Sequence, residues 1–275
     1  MFDMFQLDFM VQAFIVSLII GILLSYLGVH VVGRGIVFVD LALGQISSLG
    51  VAFSDYVGYG KTTIPIVFAL VGAFLMSLIR IKDNRLKLEA IIGIIYAIAS
   101  AATVLLISKT PHGDSDIQEV LFGNILSVTW EQITTLGIVF GFIVLLHFIF
   151  QKKFLGLTRS FEEGSAEHVK WFSLWNFLFY SSIGLAIVFA VRTSGVIPVF
   201  SYLIIPSVSA ILLIRNHATT IITAILISML GGFLGLYVSY TYDFPAGSSI
   251  VAMLGVIFMA AGMINICRKL FSKKK

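Results

Sequence analysis

The sequence predicts an all-α fold, a polytopic membrane helix bundle of about eight to nine transmembrane helices forming a single domain over 1–275. Three observations carry this expectation. Apolar residues make up 59% of the chain and charged residues 12%, with mean hydropathy +1.03. A water-soluble domain cannot hide that much apolar surface. The apolar residues also fall into runs without Lys, Arg, Asp or Glu, each close to the ~20 residues that cross a hydrocarbon core. Finally, strand-like alternation is absent, which argues against a membrane barrel. The longest polar segments, 109–131 and 151–170, are loop-sized, so no separate soluble domain is expected.

The first run, 9–33, follows Met1-Phe2-Asp3, which lacks the basic start and small-residue cleavage site of a removable leader. The second, 35–54, is interrupted only by Asp40. Helical spacing places Asp40, Gly44 and Ser47 on one face, with Gln45 and Ser48 beside it. A charge at bilayer depth costs roughly 2.5–3.5 kcal/mol on insertion scales and tends to face a polar pathway. Two readings follow. Asp40, Gln45, Ser47 and Ser48 could form an oxygen-rich lane for a cation, or Asp40 could cap a helix or pair with Arg34.

Gly58-Tyr59-Gly60-Lys61-Thr62-Thr63 superficially resembles a phosphate-binding loop. The full pattern needs a glycine where Asp55 stands, and a preceding strand. We therefore read a hairpin loop before the run 62–79. The runs 90–108 and 132–151 follow, the latter with Gly137-x-x-x-Gly141, a small-residue packing pattern repeated at Gly231-x-x-x-Gly235. Close packing within one bundle and a dimer contact are both open for these.

The segment 152–170 is polar. Ser160 and Glu163 have capping-box spacing, which predicts a short helix starting at Ser160. The remaining runs are 171–191, 193–214, 216–242 and 244–267, and the tight link at Arg192–Thr193 could fuse two of them. Pro198 and Pro206 predict either a kink or a pathway-lining break in 193–214. The hydroxyls of Ser201, Ser207 and Ser209 could satisfy carbonyls freed there.

Nine crossings with the N-terminus outside put fifteen of the 18 Lys and Arg on the inner side. Only Lys61, Lys109 and Arg192 fall outside, with eight of the 14 acidic residues. That bias predicts a cytoplasmic C-terminus. The basic residues sit in short loops and the tail, as topology signals do, so the sequence pI near 9.1 does not point to nucleic acid. The five histidines show no ligand spacing and Cys267 stands alone, so neither a disulfide framework nor a zinc site is expected.

Several stretches, taken in order, resemble the integral-membrane permeases of the zinc/manganese/iron class of ABC importers. They are Gly28-Val29-His30-Val31-Val32-Gly33-Arg34-Gly35-Ile36-Val37-Phe38 with Ala42-Leu43-Gly44-Gln45 and Gly50; Glu89 to Ala97; Leu121-Phe122-Gly123-Asn124-Ile125-Leu126; Gly195 to Ser207; and Asp243-Phe244-Pro245-Ala246-Gly247. The resemblance implies a permease with no cofactor of its own, working as two copies in a bacterial inner membrane and surrounded by lipid. It also implies a cytosolic ATP-binding cassette subunit that uses the ATP, and an extracytoplasmic metal-binding protein. The docking site for the ATPase would be the loop 152–170, with Ser160, Glu162, Glu163 and Gly164. Metal-transporting members carry Asp and His four residues apart on the second helix. Here Leu41 and Gln45 take those places, leaving Asp40 one residue off, and Gln offers a carbonyl oxygen instead of imidazole.

The competing reading is a stand-alone proton-coupled transporter with Asp40 as its titrating group. Such relays usually use several charges. Neither an internal inverted repeat nor an acid–base cluster for an intramembrane enzyme is apparent.

Overall fold

A computed structural model describes residues 3–79, 87–108, 124–162 and 172–272. All of their regular structure is helical. The long helices are α1 (Asp8–Gly33), α2 (Val39–Val57), α3 (Thr63–Leu78), α4 (Leu88–Ile107) and α5 (Trp130–Ile149). They are followed by the short α6 (Gln151–Glu162), then α7 (Phe172–Ser194), α8 (Val196–Leu213), α9 (His217–Tyr242) and α10 (Ala246–Ser272). Seven of these are long and apolar enough to cross a membrane. Of the other two expected crossings, α3 is apolar but has only 16 residues. The 19-residue α2 is polar along one side, with Asp40, Gln45, Ser47 and Ser48.

The helix boundaries follow local chemistry. Gly58, at φ 80°, ends α2 in a left-handed cap whose N–H donates to Ser54 O at 2.9 Å. Gly58 and Gly60 turn the chain into α3, so the glycine-rich stretch is the expected hairpin loop. Thr129 and Gln132 form a reciprocal capping box at the start of α5, Thr129 N donating to Gln132 Oε1 at 3.0 Å and Gln132 N to Thr129 Oγ1 at 3.4 Å. Asn216 caps α9 by accepting from Thr219 N at 3.2 Å. Asp243, at φ 55°, closes α9 in the left-handed region that Asp tolerates.

The expected joint at Arg192–Thr193 lies three residues further on. Helix α7 runs through it to Ser194, and Gly195 at φ 81° separates α7 from α8. Neither proline breaks α8. Pro198 lies in the first turn, where its missing N–H has no helical partner to lose. Pro206 lies inside the helix and frees the carbonyl of Tyr202, four residues earlier. Ser25 of α1 donates to that carbonyl at 3.3 Å. Ser201, Ser207 and Ser209 instead back-bond to Ile197 O, Leu203 O and Ile205 O at 2.7–2.8 Å.

The described residues gather into two compact units. The first takes them from Met1–Val32, Asn124–Gly137 and Thr193–Lys275. In it α8, α9 and α10 pack on one another. Small residues let the backbones approach. A methyl on Gly28 would run into the Leu203 carbonyl, and one on Gly235 into the Ile250 backbone. Gly231 faces Leu254, so the Gly231/Gly235 pattern is internal packing. A methyl on Gly137 or Gly141 would meet no atom within 4 Å among the described residues. Ser17 and Tyr202 bond hydroxyl to hydroxyl where Gly232 leaves room.

The second unit takes the described residues of Gly33–Gly123 and Ile138–Arg192. Helix α2 is its centre, packed against α3 and α4. Gly50 lies against Pro65 and Phe68, Gly72 against Ile46, and a Cβ on Gly44 would stand 3.5 Å from Ile187 of α7.

Candidate transport site and coupling helix

Asp40 sits in the first turn of α2, directly after Val39. It is 3% exposed, and Gln45, Ser47 and Ser48 are buried with it. Neither carboxylate oxygen of Asp40 has a hydrogen-bond partner among the described residues, nor has the Ser48 hydroxyl. The backbone N–H groups of Asp40 and Leu41, at the positive end of the helix, are the polarity that faces the carboxylate. The N-cap position is Phe38, with no side-chain cap. Asp40 is thus not the N-cap residue, although its carboxylate faces the N–H groups of the first turn, and it makes no hydrogen bond to Arg34.

Arg34 points elsewhere. Its Nε donates to Thr158 Oγ1 at 3.0 Å and its Nη2 to Phe154 O at 3.4 Å. Its guanidinium carbon stands 3.4 Å from the centre of the Phe179 ring. The sequence brings Arg34 and Asp40 close along the chain, but the five-residue connection 34–38 turns through Gly35 at φ 65° and separates their directions.

A buried, unpaired carboxylate with hydroxyls and an amide on the same helix is an oxygen donor set suited to a hard or borderline cation held weakly. Among the described residues no three His, Cys, Asp or Glu stand close enough together to hold a metal ion. Ser201, expected to line the pathway at a break near the two prolines, is buried on α8 in the first unit, with its hydroxyl turned back on Ile197 O. The four α2 residues thus share one element, while Ser201 belongs to the other unit.

The loop 152–170 holds a helix, displaced from where its capping signal placed it. Helix α6 ends at Glu162, so Ser160 lies in its last turn and donates to Gly156 O at 2.9 Å. The cause is the buried face formed by Phe154, Leu157 and Thr158 upstream of Ser160, with Phe161 continuing it half-buried. Lys152, Lys153, Gly156 and Arg159 form the exposed face. Glu163 and Gly164 lie outside the described residues, as does the side chain of Glu162.

Phe154 is fully buried, stacked on His147 of α5 at 4.1 Å between ring centres and edge-on to Trp175 of α7 at 6.0 Å. Sequence reasoning missed this aromatic layer and the part Arg34 plays in it. The only signal was an arginine beside a glycine at the end of an apolar run.

Comparisons with known proteins agree with this architecture. The chain is similar to the manganese transport system membrane protein MntC of Listeria monocytogenes, 28% identical over 98% of this chain and 96% of that protein. It is 28% identical to the chelated iron transport system membrane protein YfeC of Yersinia pestis, over 94% of this chain and 86% of that one. Among solved structures, PsaBC from Streptococcus pneumoniae in complex with Fab superposes with TM-score 0.78 at 26% identity, covering 93% of this chain and 91% of that one. The sequence profile of the ABC 3 transport family matches residues 6–265. With nearly its whole length accounted for by that match, the chain belongs to the ABC 3 transport family.

Proposed function

We propose that this chain is the transmembrane permease subunit of an ATP-driven importer of divalent metal ions, zinc, manganese or iron. The observation that carries the reading is a buried carboxylate without a hydrogen-bonding side chain, on a polar-faced helix of an ABC 3 family member. Relatives named for manganese and chelated-iron transport support the cargo class. The chain contributes the pathway and no hydrolytic site. Two copies form the pathway, a cytosolic ATPase docks on α6 and the segment after it, and an extracytoplasmic metal-binding protein delivers the ion. Lipid covers the exposed apolar faces.

Sidedness in a bacterial inner membrane, with the C-terminus in the cytoplasm, follows the Lys/Arg bias. Contacts within each unit fit it. Arg34 meets α6, both on the inner side; Arg192 meets Thr62 at 3.2 Å, both outside; and Arg268 caps α8 at Leu213 O at 3.1 Å, both inside.

Asp40 meets the ion in transit, with Gln45, Ser47 and Ser48 as neutral oxygen donors. The lack of a third strong ligand suits passage, because an ion held tightly midway would not leave. The test is ATP-dependent uptake of Zn²⁺, Mn²⁺ and Fe²⁺ into vesicles holding this chain with its ATPase and binding protein. One ion should accumulate, and Asp40→Asn should lower its uptake about tenfold or more, as expected for loss of a functional intramembrane charge. Accumulation of none of the three would overturn the metal assignment. Unchanged uptake in Asp40→Asn would remove Asp40 from the pathway.

A further inference from the structure

We propose that Arg34 is a positioning residue that transmits displacement of helix α6 to the Asp40-bearing helix α2. The proposal rests on the reading of α6 as the ATPase-facing helix.

The two faces of α6 differ in kind. The outward face presents Lys152, Lys153 and Arg159 to solvent. The inward face is fixed by three sets of contacts. Phe154 stacks on His147 of α5, with ring planes 8° from parallel. Phe154 also meets Phe179 of α7, at 6.2 Å between ring centres. The third is Arg34, which reaches α6 from the connection leading into α2. It takes the Thr158 hydroxyl and the Phe154 carbonyl while its plane lies over Phe179, and Phe161 stands 5.7 Å from its guanidinium carbon.

Arg34 is 6% exposed. Burying a guanidinium is costly unless its donors and its face are both engaged. Here two donors and one face are, and a desolvated cation over an aromatic ring is among the stronger contacts of its kind. A lysine ammonium is a point charge on a flexible stem, with no planar fork to hold two acceptors while its face covers a ring. The geometry therefore selects arginine.

The other end of the tether is short. Val39 begins α2 five residues after Arg34, its N–H donating to Ile36 O at 3.0 Å, and Asp40 follows at once. Gly35, at φ 65° and with nothing within 4 Å of where a Cβ would stand, is the one pivot in that link. A shift of α6 therefore pulls on the start of α2 through Arg34, and the first turn it moves is the one that holds the unpaired carboxylate.

The test uses the complete reconstituted transporter. In Arg34→Lys and Arg34→Gln, ATP hydrolysis stimulated by the loaded binding protein should stay within about twofold of wild type, while metal taken up per ATP falls about tenfold. A purely structural role would lower hydrolysis, uptake and the yield of assembled complex together, and that result overturns the proposal. So does wild-type uptake per ATP in Arg34→Lys. A second readout is independent of cargo. Phe38→Cys places a thiol at the exposed N-cap of α2, in a Cys267→Ser background. Vanadate trapping of the ATPase should change its maleimide labelling rate at least threefold with Arg34 present and leave it unchanged with Arg34→Lys. If wild type accumulates none of the three metals, the metal reading fails while the labelling result still decides the role of Arg34. A trapping response retained in Arg34→Lys, or absent with Arg34 present, overturns it.

Discussion

The two units differ in where their buried polar side chains find partners. In the first, polar side chains act as glue. Ser17 bonds Tyr202, Ser25 takes the carbonyl freed by Pro206, and Ser207 donates to Ser25 O at 3.0 Å as well as within its own helix. In the second, Asp40, Ser48, Ser100, Ser181 and Oδ1 of Asn176 are buried without a hydrogen-bond partner among the described residues. An unsatisfied buried group costs about 1–3 kcal/mol, more when charged. Asp40 and Ser48 are among these open groups, and they are the ones placed in the proposed ion pathway. The polar contacts of the first unit join its helices, whereas the second leaves Asp40 and Ser48 open to the passing ion proposed above.

Substitutions can break or sharpen that contrast. The largest effect should come from Gly28→Ala in the first unit. The added methyl meets the backbone carbonyl of Leu203, which cannot rotate away, so α1 and α8 must separate. A loss of about 3 kcal/mol, the upper end for overpacking, should appear as a lower melting temperature in detergent. A normal melting temperature would mean that the two helices are not held so closely. Ser25→Ala comes next. It strands the Tyr202 carbonyl beside Pro206 and should cost about 1 kcal/mol, within the range of hydrogen bonds between membrane helices. The smallest effect belongs to the second unit. Ser48→Ala removes a hydroxyl that has no partner, so stability should change by less than about 0.5 kcal/mol or rise slightly, while metal uptake falls. A destabilisation equal to that of Ser25→Ala would erase the distinction between the units.

Features that depend on one helix were legible in the sequence, and those that depend on distant partners were not. The apolar runs gave the helices, because length and composition alone decide whether a segment can span a bilayer. The burial of Asp40 with Gln45, Ser47 and Ser48 followed from helical periodicity. The hairpin at Gly58 and Gly60 followed from glycine chemistry. Ser160 and Glu163 have capping-box spacing, yet the reciprocal box stands at Thr129 and Gln132, since the apolar face around Phe154 and Leu157 sets the position of α6 instead. The prolines drew attention as breakers, but Ser25, 177 residues away in sequence, supplies the donor that lets Pro206 sit in a continuous helix. Arg34 looked like a partner for the nearby Asp40, and only the fold shows that it turns to Thr158.

The bond between Ser17 and Tyr202 joins residues 185 positions apart. At synthesis rates of 5–20 residues per second, roughly 10–40 s pass between the emergence of α1 and that of its partner on α8. During that interval α1 waits in the bilayer with Ser17, Ser25 and Gly21, Gly28 uncovered by α8 and α9, a polar and small-residue seam with nothing yet to close it. Biogenesis of this protein therefore depends on keeping an early helix unmated until the last third of the chain is made.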